Sequence, residues 1–391
     1  MKKIVCLLMT LMLLCGCALA ETTIDGGETR NITVTDVGVN EPEEGISPVT
    51  GLTLSDVAQN AGEGFAGQAV TGRYMPMMVQ IDNTDGGIGY SDGKANGNRA
   101  PWGVQFADVI YEAPLYKSGE TRLTFLFSDL LPTRVGPVRS ARLFHAWLRE
   151  EWDCGFCFYG QQEYSATNVP AVFRETGATK KGVLFSGTVG SSKPWKQFYT
   201  VYELKKLKSP HNKSANVAAM SSLIDPDFEA ANHTWLFTDE LPTEGDDATV
   251  IYVNWGSGST QVYNSILEWD EDEECYYRYM LDKKGKDHVY SSLSADGEFE
   301  SVPVTFNNVI VQFTKMTWER TDAPNPEVLG TGNADYFMGG KHMAGVWSRD
   351  DLSSRTVFFD ENGEEIEMQR GRTLIIVMDY EFEGRSIAYE D

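Results

Sequence analysis

The stretch Arg134-Val135-Gly136-Pro137-Val138-Arg139-Ser140-Ala141-Arg142 carries the strongest local signal for the fold. Apolar side chains recur at helical spacing directly after it: Phe144, Trp147, Leu148 and Trp152. Pro137 lies upstream, and Ser140 belongs to the residue types that cap the first turn of a helix. We therefore predict an amphipathic helix that begins near Ser140.

The whole chain divides into two parts with different sequence patterns. In the first part, apolar runs at 76–83, 106–112 and 122–127 predict strands, and 166–175 and 216–224 predict two further helices. Acidic and turn residues accumulate at 238–247, which is typical of a linker between domains. Six short strands are predicted beyond it, at 249–253, 265–269, 276–280, 308–313, 356–359 and 373–377. The predicted fold class is α+β, with an N-terminal mixed α/β domain at 73–242 and a mostly-β C-terminal domain at 243–391.

The first twenty residues have the pattern of a signal peptide, because two lysines precede a short apolar run. Leu14-Cys15-Gly16-Cys17 is similar to a bacterial lipobox, in which the cysteine is acylated, whereas Ala18-Leu19-Ala20 would instead allow cleavage after Ala20. We expect an extracytoplasmic protein that is lipid-anchored to the bacterial cell membrane at Cys17, or alternatively secreted. Residues 21–72 are acidic and glycine-rich, which predicts a flexible tether.

The charge balance excludes one class of partner. The chain has 33 Lys and Arg against 57 Asp and Glu, a net charge of −24. Binding to nucleic acid needs a dense basic surface, and an anionic membrane surface repels an acidic chain. We therefore expect no nucleic-acid partner, and contact with the membrane through the lipid anchor alone. The oligomeric state stays open.

Cysteine and histidine spacing predicts no metal and no cofactor. Three cysteines lie outside the signal segment, an odd number that argues against a scaffold of several disulfides. We expect Cys154 and Cys157 to be buried, unpaired residues of a strand. The five histidines show no spacing typical of a zinc site.

Positive charge is concentrated at the predicted helix start, where Arg134, Arg139 and Arg142 lie within nine residues. Guanidinium groups and a helix N-terminus together favour a carboxylate or phosphate ligand, with Ser140 adding a hydroxyl group. The alternative is that the arginines pair with carboxylates of the same part of the chain, namely Asp82, Asp108 and Glu112. The sequence leaves both interpretations open.

Two carboxylates could instead support catalysis. Asp82 and Glu112 each stand at the end of an apolar run, and they could act as an acid/base pair if their strands are adjacent. The simpler interpretation makes them ion-pair partners of Arg122 and Arg139. His211 lies in a turn, where it could donate a hydrogen bond to a ligand or to the backbone.

Several short motifs, taken in order, resemble those of the YerB-like bacterial lipoproteins. In the first part of the chain these are Ile81-Asp82-Asn83, Ala107 to Glu112, Thr121-Arg122, Arg134 to Arg142 and Pro210-His211-Asn212. In the second part they are Asn308 to Gln312, Gly345 to Arg349 and Gly371-Arg372-Thr373. The resemblance implies an exported location and two domains, but it implies no reaction.

Two hypotheses follow, and we expect a binding protein rather than an enzyme. In the first, an envelope protein binds an anionic envelope component or a protein partner. Its candidate ligand-binding residues are Arg134, Arg139, Ser140, Arg142, Arg122, Asp82, Asn83, His211 and Asn212. In the second, a cell-envelope hydrolase or transferase acts on glycan or muropeptide with Asp82 and Glu112. That reaction needs the two carboxyl groups within roughly 5–9.5 Å of each other in one cleft.

Overall fold

A computed structural model describes residues 22–24, 26–83, 101–201, 208–282, 284–293, 301–381 and 385–391. The α-helices among them are α1 (Leu54–Asn60), α2 (Gln68–Thr71), α3 (Leu143–Trp152), α4 (Val169–Glu175) and α5 (Val217–Ser221). The predicted signal segment, with Cys17 and Ala20, lies outside the described residues. None of the helices in the described ranges is long and apolar enough to span a lipid bilayer.

The fold is mostly β. The strands of the first part are β1 (Thr22–Ile24), β2 (Met77–Ile81), β3 (Val109–Pro114), β4 (Thr121–Phe127), β5 (Gly155–Phe158), β6 (Leu184–Ser186), β7 (Tyr199–Val201), β8 (Lys213–Ala215) and β9 (Leu236–Thr238). Those of the second part begin with β10 (Asp246–Asp247), β11 (Val250–Asn254), β12 (Ser265–Asp270), β13 (Cys275–Leu281), β14 (Asp287–Val289), β15 (Ser291–Leu293), β16 (Ser301–Pro303), β17 (Thr305–Phe306) and β18 (Asn308–Thr314). They continue with β19 (Met316–Arg320), β20 (Ala323–Pro326), β21 (Gly330–Met338), β22 (Lys341–Arg349), β23 (Val357–Phe359), β24 (Glu367–Gln369), β25 (Thr373–Asp379) and β26 (Ser386–Glu390). Every strand predicted from the sequence is present within about three residues of its expected ends.

A central sheet takes strands from both parts of the chain. Its order is β10-β22-β21-β18-β25-β3-β4-β2-β5-β6, and β23 pairs with β22. The two parts meet where β25 runs parallel to β3, from Thr373 opposite Val109 to Ile376 opposite Glu112. The boundary predicted near residue 242 therefore separates two stretches of sequence but not two sheets.

The central sheet is covered on both faces. A second sheet, β1-β26-β11-β12-β13-β14 with β17 beside β13, packs its apolar side chains on one face. The other face carries α3 and α4, whose Phe144, Leu148 and Phe173 join a second buried cluster. The alternation of strand side chains supplies apolar residues to both layers.

Helix α3 begins at Leu143, three residues after Ser140, and its N-cap is Arg142 rather than the suggested Ser140. The N–H of Arg139 donates to Gln80 (2.9 Å) and that of Ala141 donates to Gly160 (2.9 Å). Residues 139–141 are therefore held extended beside β2 and β5, and the helix starts only after them. The two other predicted helices are also shorter than expected, since Asn168 and Asn216 cap α4 and α5.

The expected flexible tether at 21–72 is a structured strap along most of its length. Strand β1 pairs with β26, and Arg30 forms an ion pair with Asp335 (3.0 Å). Further along, the hydroxyl groups of Ser47 and Thr50 each donate to Asp129 at 2.6 Å. We call residues 26–53 the N-terminal strap. The acidic and glycine-rich composition of the strap is typical of a flexible tether, and it gave no sign of these few anchoring residues.

Candidate functional site

Asp82 lies directly after β2 and organises a cluster of cationic side chains. Its side chain is fully buried, and Oδ2 lies 2.5 Å from Nδ1 of His211 and 3.7 Å from Nε of Arg139. Burial alone would raise the pKa of Asp82, but the hydrogen bond from His211 and the charges of Arg122 and Arg139 lower it well below its ordinary value. Asp82 is therefore a carboxylate at neutral pH.

Arg122 and Arg139 lie near this carboxylate, and Arg122 shares the carbonyl oxygen of Ser140 with Arg142. Arg122 on β4 is buried, and its Nη1 donates to the carbonyl oxygen of Ser140 at 3.0 Å. Nη1 of Arg142 donates to the same oxygen at 3.4 Å. Arg139 lies between them in sequence and contacts Asp82. We call Arg122, Arg139 and Arg142 the arginine cluster.

The arginine cluster is short of acceptors. The Nε atoms of Arg122, Arg139 and Arg142 are buried, and none has a hydrogen-bond partner among the described residues. Burial lowers the pKa of Arg122, and the charge of Arg142 lowers it further. Burial also lowers the pKa of Arg142, although Tyr116 and Asp322 oppose that effect. An anion placed here would therefore relieve repulsion between partly desolvated cations.

Ser140 contributes its carbonyl group rather than its hydroxyl group. The hydroxyl donates to the carbonyl oxygen of Tyr159 at 3.2 Å, at the end of β5. A Cβ atom at the next residue, Gly160, would lie only 2.7 Å from Oγ of Ser140, so the two segments are in close contact. The expectation that Ser140 offers a hydroxyl group to a ligand is therefore corrected.

Glu112 lies on the other face of the sheet. Glu112 and Ile81 both oppose Leu123 of β4 in register, so their side chains point away from the face that carries Arg122. On its own side, Glu112 forms an ion pair through Oε2 with Arg278 of β13. The predicted acid/base pair of Asp82 and Glu112 is therefore wrong.

Asn83 lies on the same face as Glu112 and not with the arginine cluster. Its Nδ2 donates to Oγ1 of Thr121 at 2.7 Å, and that hydroxyl donates to Oε1 of Glu112 at 2.7 Å. Because side chains alternate along an extended chain, Asp82 and Asn83 point to opposite faces. Only Asp82 of this pair belongs to the candidate site. Asn212 is buried next to His211.

Arg134 and Asp108 also lie elsewhere. Arg134 is exposed and lines a cavity of about 630 Å³ with residues such as Leu52, Phe65 and Phe106. Asp108 accepts hydrogen bonds from the N–H groups of Ser128 (2.5 Å) and Asp129 (3.0 Å). Among the three predicted carboxylates, Asp82 is therefore the one for which an ion pair with a predicted arginine is described.

Sequence reasoning missed His145 as a neighbour of the cluster. The N–H of Arg142 donates to Nδ1 of His145 at 2.9 Å. Burial lowers the pKa of His145 well below its ordinary value, and the charges of Arg122 and Arg142 add to this effect. A neutral His145 therefore closes the first turn of α3. The signal was its position three residues after the N-cap, where side chains reach back to the cap.

Cys154 and Cys157 are buried and unpaired, as predicted. Burial raises the pKa of Cys154 to about 12, so its thiol is not a nucleophile at neutral pH. Within the described ranges, no group of three or more His, Cys, Asp or Glu side chains is arranged to hold a metal ion.

Two family models match the chain. Residues 65–225 match the N-terminal domain, and residues 251–375 the C-terminal domain, of the protein of unknown function DUF3048. A search of curated proteins gives no significant match. Among solved structures, the chain is similar to the crystal structure of YerB protein from Bacillus subtilis, with a TM-score of 0.62 and 18% identity over 88% of this chain and 99% of that chain. At this identity the likeness concerns the fold alone.

Proposed function

The chain belongs to the YerB-like family of DUF3048 proteins, and from that premise we propose that it is an exported envelope protein that binds an anionic envelope component through the arginine cluster. Binding, rather than catalysis, is its role. The ligand presents a carboxylate or phosphate group, which bidentate guanidinium contacts suit best.

One observation carries the proposal: the three guanidinium groups lie close enough to repel one another, and among the described residues Asp82 forms the one ion pair with them. Asp82 is shared between His211 and Arg139, and the Nε atoms of Arg122 and Arg142 are buried with no hydrogen-bond partner among the described residues. Buried donors without acceptors are costly, at about 1–3 kcal/mol each. A bound anion would accept these hydrogen bonds and offset that cost.

The burial of these side chains favours a ligand with a small charged group over a ligand that presents a flat charged surface. Arg122 is 2% exposed, whereas the Arg139 side chain is 20% exposed. A ligand therefore first meets Arg139 and His211 and reaches Arg122 only by inserting its anionic end.

A thermal-shift screen tests the proposal. The mature polypeptide from Glu21 is heated with inorganic phosphate, glycerol phosphate and muropeptides at low salt. A ligand that binds the native state raises Tm, and a concentration of about 100 Kd corresponds to about 2.7 kcal/mol of stabilisation. We expect Arg139→Ala to abolish the shift. An unchanged shift in Arg139→Ala would refute the assigned site.

The location is tested separately. We propose that Cys17 is lipidated, so the mature N-terminus is a diacylated cysteine with the mass of its lipid attached. Mass spectrometry of the membrane-associated protein measures this directly. An unmodified N-terminus at Glu21 would show cleavage after Ala20 and a secreted protein instead.

A further inference from the structure

A basic segment adjoins the arginine cluster in this acidic protein. Residues 174–213 contain nine Lys and Arg but two Asp and Glu, in a chain of net charge −24. Within 193–213, the four described lysines form no ion pair with a described carboxylate: Lys193, Lys196, Lys208 and Lys213. We call them the lysine surface. Lys181, by contrast, pairs with Asp153 at 2.7 Å.

The lysine surface is continuous with the arginine cluster through Tyr159. The Nζ atoms of Lys196 and Lys213 lie 5.1 and 5.7 Å from the centre of the Tyr159 ring. The N–H of Tyr159 donates to the carbonyl oxygen of Arg139 at 2.8 Å. The ring that both lysines contact therefore belongs to the residue whose backbone pairs with Arg139.

The other two lysines are placed by separate contacts. Nζ of Lys193 lies 5.4 Å from the ring centre of Trp195, which is half-buried and anchored by a 3.0 Å hydrogen bond to Ser186. The carbonyl oxygen of Lys208 accepts a 2.9 Å hydrogen bond from the N–H of His211. Lys208 is therefore fixed in the turn that presents His211 to Asp82.

We propose that the ligand is a linear polyol phosphate polymer rather than a nucleic acid, with repeated phosphodiester groups, whose terminal anion enters the arginine cluster while its following groups lie along the lysine surface. This inference rests on the proposed function and names the ligand class. Several cations next to a buried anion site fit a charged chain. A planar membrane could contact the exposed lysines but not Arg122, which is buried.

The test compares one repeat with many. Glycerol phosphate and an oligo(glycerol phosphate) of about eight repeats are titrated into the mature polypeptide at low salt, and we expect the oligomer to bind about tenfold more tightly. Its affinity should also fall more steeply with salt, because more ion contacts form. The double variant Lys193→Gln/Lys208→Gln should lose most of the oligomer's advantage and bind glycerol phosphate as the wild type does.

A matched control removes the same charge elsewhere. Lys284 and Lys286 are exposed on the hairpin between β13 and β14, and Lys284→Gln/Lys286→Gln should leave both affinities unchanged. Equal affinity for monomer and oligomer in the wild type would overturn the inference while leaving the arginine site intact. An equal loss of oligomer affinity in the Lys193→Gln/Lys208→Gln and Lys284→Gln/Lys286→Gln variants would also overturn it. Tighter binding to phosphatidylglycerol vesicles than to the oligomer would overturn it as well. Failure of Arg139→Ala to weaken binding of glycerol phosphate would instead refute the proposed function.

Discussion

Asp82 and Glu112 look alike in the sequence, since each ends an apolar run, yet they have different environments. Strand alternation and the β2–β4 register place Asp82 with Arg122 and send Glu112 to the opposite face. Register is fixed by pairing between distant segments, so it could not be read from either run alone. Of the three arginines predicted together at the helix start, Arg139 and Arg142 lie near each other as local neighbours, whereas Arg134 lines a different cavity.

His233 is a residue whose burial predicts a pH effect. It is 4% exposed, and neither ring nitrogen has a hydrogen-bond partner among the described residues. Burial lowers the pKa of His233 to about 4, although the charge of Glu151 opposes the shift. An unfolded histidine titrates near 6.5, so between these values the unfolded state binds more protons and stability falls as pH falls.

We therefore expect His233→Phe to lose less stability than the wild type on acidification from about pH 7 to about pH 4.5, by about 2–3 kcal/mol. Urea unfolding at both pH values measures the difference. His233→Gln, which also cannot be protonated in this range, should show the same reduced pH dependence. A wild-type pH dependence in both variants would show that His233 does not titrate as its burial implies.

Among the elements, the strands with clear apolar runs could be predicted, and the paired strands β21 and β22 could not. Both contain glycines where strand formers are expected. Gly345 is required by close packing, because a Cβ atom there would lie 1.9 Å from the carbonyl oxygen of Phe359. Helix α3 could be predicted from its apolar spacing, but not its start, since long-range backbone pairing holds residues 139–141 extended.

The ion pair between Glu112 of β3 and Arg278 of β13 joins the central sheet to the second sheet. Both side chains are buried. Arg278→Met should therefore destabilise the protein by about 3–5 kcal/mol, because it leaves a buried carboxylate unpaired. The double variant Glu112→Gln/Arg278→Met should recover most of that loss.

The free energy of unfolding in urea measures these changes. Arg320→Met is a matched control, because Arg320 pairs with Asp322 at 3.4 Å while 55% exposed, and such a pair contributes less than about 1 kcal/mol. Equal destabilisation by Arg278→Met and Arg320→Met would contradict the structural role assigned to the buried pair.

At the scale of the whole molecule, the sequence indicates two parts, and the structure joins them. The central sheet passes from β25 to β3, strands separated by more than half of the chain. The N-terminal strap adds contacts to both parts, through Arg30 with Asp335 and through Ser47 with Asp129. Pairings over such distances leave no local pattern in the sequence, which explains why a tether and separate domains were predicted.

The shared sheet predicts a single cooperative unfolding transition. Separating the two parts would expose the edges of β3 and β25 along with apolar residues on both faces, so neither part is expected to be stable alone. Far-UV circular dichroism and tryptophan fluorescence should therefore give coincident urea transitions. Two separate transitions, or a folded fragment 243–391, would contradict this expectation.

The net charge of −24 makes the cationic region around Arg139 a local exception, and anion binding there is the central claim. Calorimetric titration with the best anion from the thermal-shift screen tests it most directly, using Arg139→Gln and the matched variant Arg134→Gln. Arg134 is exposed and lines a different cavity. We expect Arg139→Gln to raise Kd about tenfold or more, since it removes a charge-assisted contact, and Arg134→Gln to leave Kd unchanged. Equal Kd values for Arg139→Gln and the wild type would contradict the account.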